Sequence, residues 1–100
     1  MSTVHVHLQE GFDGEPVILR LDGRVVANRA TVRTRQQLGL AEIIQLDTSP
    51  GHHELEVVLP ARNRVQTIPF DLQQELHLGL NLESDGVVTH RISQSTFGYV

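Results

Sequence analysis

The sequence contains no cysteine, no tryptophan and no lysine. It has only three Phe and one Tyr. Without cysteine, disulfides, thiol catalysis and cysteine-ligated zinc or iron–sulfur sites are excluded. Without lysine, the chain lacks the phosphate-binding side chain of a Walker-type loop, and it shows no Gly-x-Ser-x-Gly motif of a serine hydrolase. These absences predict a protein that is not an enzyme.

Long apolar runs are also missing. No stretch approaches the roughly 18 residues that a membrane-spanning helix requires, so no membrane span is expected. Residues 1–6 show no basic start followed by an apolar run, so no signal peptide is predicted. Together with the lack of cysteine, which is typical of reducing compartments, this favours a cytoplasmic location.

The charge balance is mildly acidic. Eight arginines stand against 12 Asp and Glu residues, which gives a net charge of −4. Five of the arginines fall within residues 20–35, but nucleic-acid binding needs a broad positive field, so no nucleic-acid partner is expected. A length of 100 residues, 39% of them hydrophobic, allows one domain over residues 1–100 with its own core.

Apolar and polar residues alternate along residues 4–9, 53–59 and 76–82, which is the pattern of strands with one buried face. Asp22-Gly23 separates two further strands as a two-residue hairpin turn. Other turn signals follow at 49–51, 60–64, 73–74 and 84–86. This spacing predicts an all-β fold, an antiparallel β-sandwich of immunoglobulin-like or prealbumin-like type with about seven to nine short strands.

The positions of the strands within the sheets are predicted from their side chains. Residues 76–82 carry an apolar face that favours a central strand, whereas residues 4–9 and 30–35 are expected at edges. Arg33 and Arg35 would discourage pairing at the second edge, so residues 4–9 become the expected dimer seam. Residues 35–46 fit a helix poorly, and we expect an irregular crossing there, followed by a strand over residues 42–46.

Three segments together resemble a known family: 21–25 (LDGRV), 49–57 (SPGHHELEV) and 68–72 (IPFDL), the last followed by the apolar strand 76–82. Their order is similar to that in PEGA-type domains, which are small bacterial β-sandwiches. The resemblance covers residues 17–82 and departs from the family pattern at residues 33–46, where the Pro-Glu-Gly-Ala motif of the family should stand and does not occur. It implies a non-catalytic accessory or surface-attachment module, commonly part of a larger protein.

Six histidines are the unusual feature of the composition. His5 and His7 are two residues apart in a strand, so both rings point to the same side and can share a Zn²⁺, Ni²⁺ or Cu²⁺ ion. A third ligand must come from another strand: we expect His90, with His77, Glu54 or Glu56 as alternatives. The simpler interpretation is that these histidines only occupy a strand surface.

Three other features have a structural and a functional interpretation. His52 and His53 project to opposite faces, so one of them should be partly buried packing. The acidic segment 10–15 is either an ordinary turn or a weak Ca²⁺ site. The tail, residues 94–100, carries Phe97 and Tyr99, which either tuck under the sandwich as part of the core or dock on another chain.

The sequence therefore predicts a non-catalytic β-sandwich that acts through protein–protein contact or self-association, with a protein partner or a second copy pairing at a sheet edge. The alternative is a small metal- or carbohydrate-binding module that uses its surface histidines, with Zn²⁺ or Ni²⁺ held by His5, His7 and His90. Metal titration separates the two hypotheses.

Overall fold

The computed structural model describes residues 1–99, which form eight strands in two four-stranded sheets packed against each other. The first sheet has the order β4-β1-β7-β8 and the second the order β3-β2-β5-β6. The all-β sandwich is thereby confirmed. The strands are β1 (Ser2–Leu8), β2 (Asp13–Leu21), β3 (Arg24–Arg33), β4 (Glu42–Thr48), β5 (Gly51–Leu59), β6 (Arg64–Leu72), β7 (Glu75–Leu82) and β8 (Val88–Ser93).

The core lies between the sheets and is built from the apolar positions of the alternating strands. In β1 these are Val4, Val6 and Leu8, all fully buried. The same core contains the even-numbered leucines of β7. It also contains the odd-numbered apolar residues of β5 from Leu55 to Leu59. Because side chains alternate between the two faces of a strand, the odd-numbered residues of β1 and β7 lie on the outer face of their sheet.

The turn chemistry is confirmed at the β2–β3 hairpin. Asp22 and Gly23 take φ values of 52° and 84°, and two positive φ values in succession are the signature of a type I′ turn. Residues 35–41 cross irregularly, with a single bridge between Arg35 and Leu40, before β4 begins at Glu42. The expected crossing and the following strand are thus both present.

The lateral position of β1 corrects the sequence analysis. Residues 4–9 were expected at an edge, but β1 lies inside its sheet, antiparallel to β4 on one side and parallel to β7 on the other. Its backbone groups are therefore occupied, and it cannot serve as a dimer seam. Alternation shows which face of a strand is buried but carries no information on its lateral neighbours. By contrast, β7 is central and β3 is an edge, as expected.

The β1–β7 pair also departs from the expected antiparallel arrangement. It is the one parallel pair among the described strands, and every other pairing is antiparallel. Parallel neighbours need a long crossover, and here the chain passes through the whole second sheet between β1 and β7. The register places His5 beside His77 and His7 beside Gly79.

Helical structure in residues 1–99 is limited to one short 3-10 turn, Pro60–Arg62, between β5 and β6. Asn63 closes this turn in the left-handed conformation. No helix among the described residues has the length and apolar character to cross a membrane.

Candidate metal centre

Three histidines meet on the outer face of the first sheet because β1 and β7 run side by side. His5 and His7 come from β1 and His77 comes from β7, and we call these three residues the histidine cluster. Glu75 precedes His77 by two residues and therefore projects from the same face of β7. The pairing of two strands thus gathers three imidazoles and a carboxylate that are about 70 residues apart in sequence.

His5, His77 and Glu75 have a donor set that suits a metal ion. One nitrogen of each ring and one carboxylate oxygen lie within 4.8 Å of one another. His5 Nε2 is 3.2 Å from Glu75 Oε2, and His77 Nε2 is 3.7 Å from Glu75 Oε1. The two rings are stacked with centroids 4.4 Å apart and an interplanar angle of 9°.

His5 Nε2 is buried but makes no hydrogen bond, since its contact with Glu75 lacks the required geometry. A buried polar atom without a partner is uncommon and calls for an explanation. The contact nevertheless favours the ionised carboxylate, because it keeps the pKa of Glu75 below its usual value. Glu75 is therefore an anionic ligand at neutral pH.

His7 is the most buried member of the histidine cluster and connects His77 to Tyr99. Only 1% of its surface is exposed. His7 Nε2 is 3.0 Å from His77 Nδ1, and His7 Nδ1 is 2.7 Å from the Tyr99 hydroxyl. Burial, reinforced by the neighbouring His77 and His5 rings, lowers the pKa of His7 to about 4. His7 is consequently neutral at pH 7.

The C-terminal segment, residues 94–99, covers His7. The Phe97 ring meets the His7 ring edge-on, with centroids 4.9 Å apart. The Arg91 guanidinium lies over the Phe97 ring, 4.8 Å from its centroid. The Gln9 amide donates a hydrogen bond of 2.9 Å to the Tyr99 hydroxyl. Space for this amide exists because Gly79 has no side chain: a Cβ there would lie 2.9 Å from Gln9 Oε1.

The aromatic residues of the tail therefore tuck against the sandwich, on its outer face rather than between the sheets. The expected burial of these two rings in the core is wrong: both are only half-buried, because the chain after β8 passes over His7 on the outer face. Val100, the last residue of that tail, lies outside the described residues.

The structure brings some of the sequence-predicted ligands together and separates others. His5 and His7 share a face, and His77, an alternative third ligand, lies beside them. His90 does not join them, because it pairs with Leu80 and therefore belongs to the opposite face of the sheet. Glu54 and Glu56 lie on β5 in the other sheet, where Glu56 binds Arg20.

Glu75 was missed by the sequence analysis although a signal for it exists. Glu75-x-His77 repeats the spacing of His5-x-His7, with two donor residues on one face of a strand. The contribution of Tyr99 had no comparable signal, because it depends on a contact between residues 92 positions apart.

The remaining candidates have structural partners. His53 is buried and contacts Asp22, whereas His52 is exposed and contacts Asp71, so the two rings project as expected. In the acidic segment 10–15, the carboxylates of Asp13 and Glu15 are bound by arginines from β3 and the 3-10 turn.

A polar cleft of about 610 Å³ lies beside the C-terminal segment. Side-chain amides, Arg91 and the two tail aromatics line it, the amides being those of Gln9, Gln36, Gln37 and Asn81. It is contiguous with the Tyr99 side of the histidine cluster.

No protein-family model matches this chain, and no curated protein matches its sequence.

Proposed function

We propose that this domain binds one divalent transition-metal ion through His5, His77 and Glu75. The observation that carries this proposal is the convergence of two imidazole nitrogens and a carboxylate oxygen within 4.8 Å on adjacent strands. The buried His5 Nε2 supports it, because this atom faces the Glu75 carboxylate at 3.2 Å without an aligned hydrogen bond, and both groups can ligate one ion.

The donor set determines the class of ion. Two imidazoles and one carboxylate suit Zn²⁺, Ni²⁺ or Cu²⁺, whereas Ca²⁺ and Mg²⁺ prefer an all-oxygen shell. Three protein ligands leave a further coordination position for water or a second molecule. Zn²⁺ at about 2.0–2.1 Å from each ligand holds neighbouring donors roughly 3.3 Å apart.

The stacked rings must adjust when the ion binds, because a metal lies in the plane of each imidazole that ligates it. His77 is held by its bond to His7, whereas His5 makes no ring hydrogen bond. We therefore expect His5 to tilt toward Glu75 while His77 keeps its place. The exposed Glu75 side chain can follow with a change of rotamer.

Calorimetric titration with Zn²⁺ tests this function. One equivalent should bind the wild-type protein, and His5→Ala, His77→Ala and Glu75→Gln should each weaken binding at least tenfold. His90→Ala and His52→Ala serve as matched controls, since both residues are exposed histidines outside the cluster. Binding that survives His77→Ala, or that disappears in His90→Ala, contradicts the assignment.

A second candidate function is self-association through β8, which is an edge of the first sheet. The Gln66 side chain donates to the Val88 carbonyl and accepts from the Val88 N–H, so these groups point away from β7. By alternation, the backbone groups of His90 and Ile92 point the same way, and no strand within residues 1–99 covers them. Ile92 is 48% exposed beside this open edge.

Light scattering tests the edge. If β8 pairs with a second copy, Ile92→Lys should convert a dimer to a monomer, because it places a charge on the seam. Val65→Lys is the matched control, since Val65 has similar exposure (52%) on an edge strand of the other sheet. A wild-type monomer at high concentration, or a dimer that survives Ile92→Lys, contradicts this function.

Two sequence-based hypotheses stay predictions. The resemblance to PEGA-type domains implies an accessory module of a larger protein. Carbohydrate binding would use the polar cleft beside Tyr99, whose amides and Arg91 are suitable hydrogen-bonding groups.

A further inference from the structure

We propose that His7 positions the metal ligand His77 and that the C-terminal segment, residues 94–99, is coupled to metal binding through Tyr99. This inference rests on the proposed metal-binding function and adds its regulation by the end of the chain. The observation behind it is a continuous hydrogen-bonded chain, from His77 through His7 and Tyr99 to Gln9.

The position of the proton on His77 is the first step. A metal ion on Nε2 requires the lone pair of that nitrogen, so the ring proton must be on Nδ1. His77 Nδ1 then donates to His7 Nε2 over 3.0 Å. Ligating histidines are commonly oriented in this way by an acceptor on their second nitrogen.

The second step transfers this constraint to Tyr99. When His7 accepts at Nε2, its own proton is on Nδ1, and this nitrogen donates to the Tyr99 hydroxyl over 2.7 Å. The Gln9 amide also donates to that hydroxyl, so both lone pairs of the phenolic oxygen are used. Gln9 Oε1 in turn accepts from the Asn81 amide at 3.2 Å. In the metal-bound arrangement, both ring nitrogens of His7 and of His77 therefore have a partner.

The C-terminal segment makes this arrangement specific because it excludes water from His7. Without Phe97 and Tyr99, water could bond to His7, and the ring would no longer be fixed as an acceptor for His77. Loss of such an outer partner typically weakens metal binding about 10–100-fold. Linkage makes the coupling reciprocal, so bound metal must stabilise the docked segment by the same factor.

Tyr99 offers a direct readout, since it is the one tyrosine in a chain without tryptophan. Addition of Zn²⁺ should change the tyrosine fluorescence of the wild-type protein with the same midpoint as the calorimetric binding curve. Tyr99→Phe keeps the ring but removes the hydroxyl, and a chain that ends at residue 93 removes the whole segment. Both should bind Zn²⁺ about tenfold or more weakly.

His7 itself is tested by a pair of substitutions. His7→Gln keeps an acceptor for His77 and should retain more of the affinity than His7→Phe, which keeps an aromatic ring without one. If His7→Phe fails to fold by circular dichroism, Tyr99→Phe and the shortened chain decide, because the Tyr99 side chain and residues 94–99 lie on the outer face and not in the core.

The outcomes separate this inference from the function on which it rests. Unchanged affinity in both Tyr99→Phe and the shortened chain, with normal Zn²⁺ binding by the wild type, overturns the coupling and leaves the metal site intact. Failure of the wild type to bind Zn²⁺ overturns both. Weakened binding in both variants, together with a Zn²⁺-dependent tyrosine signal, supports the coupling.

Discussion

His53, near the start of β5, reaches back to the turn between β2 and β3. Its Nδ1 is 2.5 Å from Asp22 Oδ2, and its Nε2 is 2.7 Å from the Ser49 carbonyl. The Asp22 contact is the main cause of a raised pKa for His53, and the same contact lowers the pKa of Asp22. The Phe70 ring lies beside His53, its cross-strand neighbour, with ring centroids 5.8 Å apart.

This pair makes stability depend on pH. The contribution of His53 is complete below its unfolded value of 6.5 and is lost as the pH rises through its raised folded pKa. The contribution of Asp22 is complete above its unfolded value of 3.8 and is lost as the pH falls through its lowered folded pKa. The pair therefore stabilises most between these two values, by at most about 1 kcal/mol because Asp22 is half exposed to solvent.

Asp22→Asn tests this prediction with little effect on the turn. Asn tolerates the positive φ of this position and still offers an oxygen to the Glu54 N–H. In urea unfolding, the stability difference between wild type and variant should be largest near pH 5–6 and should shrink toward pH 9. A difference that stays constant over this range contradicts the ion-pair account.

At the scale of single elements, two turn glycines with the same backbone preference have different surroundings. Gly23 has a φ of 84° and open space where a Cβ would lie. Gly11 has a φ of 94°, and a Cβ there would lie 1.7 Å from the Leu82 carbonyl oxygen. The second turn is tight because the Leu82 N–H donates to the Glu10 carbonyl and so extends the contact between β7 and the end of β1.

Substitution by alanine should distinguish the two turns. Gly23→Ala incurs only the positive-φ penalty, about 1 kcal/mol. Gly11→Ala adds a backbone clash and should cost roughly 3 kcal/mol or more. Urea midpoints measured on both variants check this ordering. Equal losses of unfolding free energy in the two variants would mean that the end of β7 can move away from Gly11 at little cost, which would contradict this prediction.

The elements also show what the sequence could and could not predict. The alternation in β1, β5 and β7 identified their buried faces, and Asp22-Gly23 identified a hairpin, since both are local properties. The placement of β1 between β4 and β7 was not predictable in this way, because a strand's lateral neighbours depend on contacts far along the chain.

In the candidate site, too, local properties were predictable from the sequence and long-range contacts were not. The shared face of His5 and His7 follows from their spacing, whereas the choice of His77 over His90 follows from the parallel register of β1 and β7. The contact between Tyr99 and His7 could not be predicted from spacing or from strand register, because it depends on the path of the chain after β8.

At the scale of the whole molecule, the inner and outer faces of the sheets differ in the side chains that they bury. Their inner faces form an apolar core in which Leu, Val and Ile predominate. The outer face of the first sheet, by contrast, carries buried polar side chains: of the five buried polar residues within residues 1–99, it holds His7, Gln9 and His77. Burying polar groups is costly unless they are paired, and here His7, Gln9 and His77 are paired with one another or with Tyr99.

The proposed metal site is tested most sharply by an anomalous difference map from crystals soaked with Zn²⁺ and recorded at the zinc absorption edge. The proposed site predicts one strong peak between His5 Nε2, His77 Nε2 and a Glu75 carboxylate oxygen, about 2.0–2.2 Å from each. It also predicts that this peak is lost in His77→Ala crystals and retained in His90→Ala crystals. A map with no peak on the outer face of the first sheet, or with its strongest peak at His52 and Asp71, would contradict it.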